Sequence, residues 1–209
     1  MAALVALFEA DPGVGFSIVD LEGVILHANR KAAELFLGVG PDDIVGKRLG
    51  ELYGDDWADE RLRVMRTIHE SGRPMIMRHI RRGVRLQSTI RPLSRDGHET
   101  PAFSVVTVEG EVDPPEGSDI GVFESSIADL GPLALLTKRE LEVLALIGHG
   151  MRTQDIAKAM FRAPKTIERH CESLRAKLHA SNRVELAAFA LAAGLRLSDA
   201  DAKRTDPLP

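Results

Sequence analysis

Lys165, Glu168, Arg169 and Glu172 recur at three- and four-residue spacings inside FRAPKTIERHCESLRAKL, residues 161–178. Such spacings collect side chains on one face of a helix. An arginine can grip the O6/N7 edge of guanine, and a glutamate can accept from the N4 amino group of cytosine. A face carrying both types can read base edges in a major groove. The two acids weaken sequence-blind attraction to phosphate and sharpen selection among bases. The competing explanation is a solvated face on which Glu168 and Glu172 are i,i+4 neighbours and Glu172 offsets Arg169 or Lys165. Ile167, Cys171, Leu174 and Leu178 step by four, three and four residues on the opposite face, so they pack inward and Cys171 is core rather than chemistry.

Three further helices must hold this one. Thr137 and Glu140 form a T-x-x-E capping box before an apolar run that ends at Gly150. TQDIAKAM is a second, short helix, with Thr153 as its N-cap and Asp155 in its positive first turn. Pro164 suits the first position of the third. Asn182 and Glu185 cap a fourth, RVELAAFALAAG, closed by Gly194. Only a few residues join the second helix to the third, as in helix-turn-helix motifs.

Charge marks the boundary of this module. Residues 137–197 hold 11 Lys/Arg and 6 Asp/Glu, a net +5, whereas the remainder of the 209-residue chain holds 16 and 25, a net −9. A basic module is joined to an acidic one. No Lys or Arg lies between Arg95 and Lys138, a stretch with nine acids that includes VEGEVDPPEGSDIG. That segment reads as a linker, either simply solvated or competing with DNA phosphate for the basic module. VFESSIADLGPLAL reads as a short helix, and SDADAKRTDPLP as a disordered tail.

The N-terminal part mixes strands and helices. GFSIVDLEG and GVILHANR form a hairpin, KAAELFLG a short helix, PDDIVGKRLGELYG one or two helical turns, and DWADERLRVMRTIHESG a longer helix. PMIMRHI and VRLQSTIRPLS flank Arg81-Arg82-Gly83, the second alternating cleanly between Val84, Leu86, Ser88, Ile90 and Arg85, Gln87, Thr89, Arg91. RDGHE is the next turn and PAFSVVTVEG the last strand.

This order resembles a PAS domain, on the strength of GVILHANRKAAELFLG, IVGKRLGEL, the helix before SGRP and the return SRDGHETPAFSVVTV. The C-terminal sixty residues are similar to the LuxR-type helix-turn-helix at Leu136, Thr137, Arg139, Glu140, Glu142, Val143, Leu144, Gly150 and Ile156-Ala157. They match again at Thr166, Ile167, His170, Lys177, Leu178, Asn182, Arg183, Glu185, Leu186, Ala187, Gly194 and Leu195. Three positions depart from that pattern: Arg162-Ala163 replaces the usual Ile/Val-Ser, Met151-Arg152 a small polar pair, and Glu168 a common Lys. The resemblance implies that the third helix lies in the major groove, with Glu168, Arg169 and Glu172 facing bases and Lys165, Thr166 and His170 near phosphates or supporting the helix. It also implies a homodimer built on the fourth helix, where Ala187, Ala188, Ala190 and Ala192 permit close approach.

The expected architecture is therefore an α+β PAS-like domain over 1–110 with a five-stranded antiparallel sheet and short helices. An acidic linker over 111–132, an all-α four-helix LuxR-type domain over 133–197 and a disordered tail over 198–209 complete it. The expected function is sequence-specific transcriptional regulation by a dimer on double-stranded DNA, with a small ligand or partner protein sensed by the PAS-like half and RNA polymerase open as a further partner. A signalling adaptor whose helix-turn-helix binds protein is the alternative. Composition, with 44% hydrophobic and 28% charged residues, is that of a globular chain, and no apolar run reaches the roughly 20 residues of a membrane helix. The lone cysteine excludes internal disulfides and cysteine-based zinc, and the chain is expected to be cytoplasmic. No Gly-rich phosphate loop or nucleophile–base arrangement suggests an enzyme. The sequence leaves the cofactor open and implies no metal: residues 1–110 lack the cysteine of flavin photochemistry, and His69 and His79 are the candidate haem ligands.

Overall fold

The computed structural model describes residues 2–93 and 101–205, with side chains from Val5 onward. The RDGHE turn lies outside the described residues. The chain divides into two compact units, an α/β unit within Met1–His79 and Leu86–Ser125, and a helical unit of Ile80–Arg85 and Ser126–Pro207.

In the α/β unit, helix α1 (Ala2–Glu9) precedes strands β1 (Gly15–Asp20) and β2 (Ile25–Ala28), then helix α2 (Arg30–Phe36), a 3-10 turn at Pro41–Asp43, and helices α3 (Leu49–Tyr53) and α4 (Asp55–Ser71). Strands β3 (Met75–Arg81), β4 (Val84–Leu93) and β5 (Ala102–Glu109) follow. Helix α4 ends where Gly72 turns left-handed at φ +68°, as an αL cap demands. Asn29 is the local organiser. Its Oδ1 caps α2 at Ala32 N and accepts from Phe16 N, both at 2.9 Å, while its Nδ2 donates to the carbonyls of Phe8 and Val14. One amide side chain thus satisfies backbone groups from α1, β1 and α2 that burial would otherwise leave unpaired. Phe8 stacks on Phe16 at 4.6 Å, which seats the N-terminal helix against the sheet.

The sheet has seven strands in the order β2-β1-β5-β4-β3-β6-β7, not the five expected. The pairs β1–β2, β1–β5 and β4–β5 are antiparallel, whereas β6 (Gly121–Ala128) and β7 (Lys203–Arg204) run parallel. VFESSIA, expected to be helical, is strand β6 because β3 offers it an open backbone edge, and pairing at an edge overrides a weak local pattern. The acids of the expected linker are engaged as well. Arg78 donates to Asp113 Oδ1 at 2.7 Å and lies within 4 Å of Glu111 and Glu124, while Gln87 accepts from Val112 N and Arg73 pairs with Asp119. The buried Arg78 collects Glu111, Asp113 and Glu124 onto the sheet, so these three are not a free acidic tether.

The helical unit contains a 3-10 segment (Gly131–Leu135) and helices α5 (Lys138–Gly148), α6 (Thr153–Ala159), α7 (Pro164–Leu178) and α8 (Arg183–Ala192). Its core joins Val143, Leu144 and Ile147 of α5 to Ile156 of α6, Ile167 and Leu174 of α7 and Leu186 of α8. The tip of the β3–β4 hairpin belongs to this unit. Arg81 pairs with Asp129 at 3.3 Å, and Arg85 pairs with Asp199 and donates twice to the Gly194 carbonyl. Gly131, at φ +49°, lies where a Cβ would come within 2.6 Å of Arg82 backbone, so only glycine passes the hairpin there. The expected disordered tail is ordered through Thr205. Leu197–Asp201 forms a 3-10 turn, β7 pairs with Ile127 and Ala128, and Arg204 donates to the carbonyls of Ala134 and Leu136. The aspartates of that tail cap and pair instead: Asp199 Oδ2 accepts from Arg196 N, and Asp201 pairs with Lys138.

Candidate nucleic-acid interface and sensor cavity

Helix α7 is built from its inner face outward. Ile167 and Leu174 are fully buried, Cys171 and Leu178 nearly so, and burial pushes the Cys171 thiol up despite the neighbouring Arg183 guanidinium. The helix starts without a side-chain cap because Ala163 occupies that position, and Pro164 stands first in the helix. Thr153 likewise is the first helical residue of α6 rather than its cap, which is Arg152. Between the two helices, Phe161 adopts a left-handed conformation at φ +52° and is exposed, while Arg162 N donates to the Ala157 carbonyl to close the turn.

Glu140 contributes more than the capping box that its spacing announced. It does cap α5, accepting from Thr137 N at 2.7 Å. It also receives Ser173 Oγ at 2.6 Å and Lys177 Nζ at 2.7 Å, both from α7. Burial pushes its carboxyl up, but the hydrogen bonds from Lys177, Ser173 and Thr137 outweigh that and hold it at about 2. The start of α5 therefore grips the second half of α7 through one ionised side chain. No signal in the sequence paired Glu140 with residues 33 and 37 positions away.

The outer face of α7 carries the six expected residues. Lys165, Glu168, Arg169 and Glu172 are exposed together, and Thr166 and His170 flank them half-buried. Lys165 Nζ sits 3.2 Å from Glu168 Oε2, so the anion is paired one turn along rather than with Arg169. Arg169 and Glu172 make no ion pair among the described residues. On α8, Val184, Ala188, Leu191 and Ala192 form one exposed apolar stripe, whereas Ala190 is core and Ala187 half-buried. Of the four alanines singled out on that helix, Ala188 and Ala192 face outward. Among the described residues no helix is long and apolar enough to cross a membrane.

The α/β unit encloses a cavity of about 50 Å³ between the sheet and α2–α4. Apolar residues such as Val19, Ile44, Met65 and Ile90 form most of its wall, with Ser17, Tyr53, Trp57, Arg61, His79 and Ser88 contributing polar atoms. Phe36, Tyr53, Trp57 and His79 form a ring cluster with centroid separations of 4.2–6.0 Å. A cavity that accepts benzene measures about 150 Å³, and this one is smaller than that. His69 is exposed on α4 and lines no part of it, whereas His79 lies in its wall. The sequence offered no means of bringing Arg61 and Trp57 to His79 and Ser88, since they come from opposite sides of the fold.

Comparison with known proteins agrees with this division. Residues 134–190 match the model for bacterial regulatory proteins of the luxR family, and residues 10–109 match a PAS fold model. The chain thus carries a LuxR-type helix-turn-helix and a PAS-like domain. Sixty residues are 42% identical to the oxygen regulatory protein NreC of Staphylococcus epidermidis and 40% identical to that of Staphylococcus carnosus. Those matches cover 29% of this chain and 28% of the relatives. A Vibrio cholera VqmA–ligand–DNA complex aligns over 95% of this chain and 92% of that one, with a TM-score of 0.50 and 21% identity, a likeness of fold.

Proposed function

We propose that the protein is a homodimeric, sequence-specific DNA-binding transcription regulator whose PAS-like unit takes up a small molecule. The observation that carries the reading is the outer face of α7. Glu168, Arg169 and Glu172 stand exposed in line on a helix that Glu140 anchors from behind, within a segment that matches the luxR family. Arg169 reads guanine and the two glutamates read cytosine amino groups; Lys165, Thr166 and His170 serve phosphate and helix support. The stripe of Val184, Ala188, Leu191 and Ala192 on α8 supports two-fold assembly, because helix-turn-helix dimers span half-sites one helical turn apart. On this reading the chain works in the cytoplasm with RNA polymerase as a partner.

Selection of DNA from a random pool by the full-length protein tests the reading. The expected result is a two-fold symmetric sequence logo whose binding weakens steeply with salt through counterion release. Arg169→Ala is expected to weaken operator binding by roughly 10- to 100-fold, the cost of about 1–3 kcal/mol for one lost base contact. Binding with no enriched sequence and no salt dependence overturns it and favours a protein partner for this face.

A further inference from the structure

The cavity wall holds one permanently charged side chain, and its counter-charge lies behind it. Arg61 lines the cavity and Glu60, the preceding residue on α4, does not, yet both are buried and Arg61 Nη1 lies 2.8 Å from Glu60 Oε2. No Asp or Glu is among the described residues of the lining. Both partners are held in place. Ser125 Oγ of β6 donates to Glu60 Oε2 at 2.5 Å, and the Arg61 guanidinium lies 3.8 Å from the centroid of the Trp57 ring. Neither side chain can turn away from the other without losing a second contact.

We propose that this pair makes the cavity selective for an uncharged molecule with a carbonyl-type hydrogen-bond acceptor, and that Glu60 is the residue that sets the selectivity. The inference rests on the reading of the cavity as a ligand site. A guanidinium stays protonated at any physiological pH. Left alone at a desolvated wall it would draw an anion. With Glu60 in contact the pair carries no net charge, so an entering anion meets a guanidinium already neutralised from behind. Its own desolvation then goes uncompensated. A cation meets a guanidinium at the wall with no carboxylate on the lining to face it. An uncharged acceptor takes a hydrogen bond from the guanidinium and bears neither cost.

Acetamide and acetate have the same shape and four heavy atoms each, a size suited to the small cavity, and differ in charge. Trp57 is the single tryptophan of the chain and lines the cavity, so its indole N–H resonance reports occupancy of this site alone. The full-length protein is titrated with each probe at matched ionic strength and about pH 8, where ordinary imidazoles are neutral. Acetamide is expected to shift the Trp57 signal saturably, at least tenfold more tightly than acetate. Glu60→Gln, which keeps the shape and removes the charge, is expected to reverse the order in favour of acetate by a similar factor. The double variant Glu60→Gln/Arg61→Gln, again without net charge, should return to acetamide, and it decides the matter if the single variant does not fold. Acetate binding to the wild type as tightly as acetamide overturns the proposal, as does an unchanged preference in the folded variants. If neither probe reaches Trp57 in any form of the protein, the reading of the cavity as a ligand site falls, and the proposal with it.

Discussion

Two buried carboxylates face cations at nearly equal distance, Glu140 with Lys177 at 2.7 Å in the helical unit and Glu60 with Arg61 at 2.8 Å in the α/β unit. Their settings differ. Lys177 keeps about a third of its side chain in water, at 34% exposure, whereas Arg61 keeps 5%. Glu140 joins residues far apart in the chain and is the hub of two helices; Glu60 holds its immediate neighbour and a strand. The same contact therefore serves once as scaffolding for an outward face and once as the electrostatic backing of an inward one. Contact length does not predict what a pair is worth. The solvent that the surviving partner can reach decides it.

The largest effect should follow Glu60→Ala. It strands a guanidinium with little access to water, and the expected loss is about 3–5 kcal/mol of stability, read by denaturant melts. Replacing both partners, Glu60→Leu with Arg61→Met, should recover most of that loss. A double variant no more stable than the single one would show that packing, not stranded charge, accounts for the effect. Glu140→Ala comes next. A carboxyl held at about 2, against an ordinary 4.5, corresponds to about 3 kcal/mol at neutral pH, with no allowance for repacking. For a chain of this size that lowers Tm by roughly 10 °C.

The pH dependence of the Glu140 contribution has a definite sign. A depressed carboxyl stabilises the fold above its unfolded value and loses that contribution as pH falls toward its folded one. The stability difference between wild type and Glu140→Gln should be full above about pH 5 and fade between pH 4.5 and 2. A difference that is flat across that window would break the assignment of Glu140 as the hub. Lys177→Met should cost about 2 kcal/mol, because it leaves the Glu140 carboxylate at 5% exposure with only the hydrogen bonds from Thr137 and Ser173 to hold it.

The exposed pair Lys165–Glu168 is the limiting case, with side chains 73% and 51% exposed. Glu168→Lys should change stability by no more than about 0.5 kcal/mol. It should raise binding to random DNA, steepen the salt slope by up to about one unit and alter one position of the half-site logo. An unchanged logo would mark Glu168 as a spectator held by Lys165.

Much of the helical unit was open to reading along the chain because its signals are short-range. The T-x-x-E box at Thr137–Glu140, Pro164 at the head of α7, the Asn182 cap and the inward stripe Ile167, Cys171, Leu174 and Leu178 all lie within one or two turns of what they specify. The α/β strands and helices through Glu109 were legible for the same reason. The acidic stretch after Glu109 was misread because its residues are polar and its partners are remote: Arg78 and Arg73 collect its carboxylates, and the β3 edge turns Gly121–Ala128 into a strand. The tail was misread in the same way, since Asp199 meets Arg85 across 114 residues.

Sequence alone thus determined the four helices of the helical unit, the caps of α5 and α8 and the set of side chains on the outer face of α7, because a 3.6-residue period and a capping box need no distant partner. Tertiary structure decided everything that depends on who meets whom. It made Glu140 the anchor of α7, drew the linker acids onto Arg78, and placed Arg61 with Glu60 at its back in a cavity wall shared with His79 and Ser88. The physical reason is one of range. A buried charge is tolerable only beside its counter-charge, and the chain has to fold before the two can find each other.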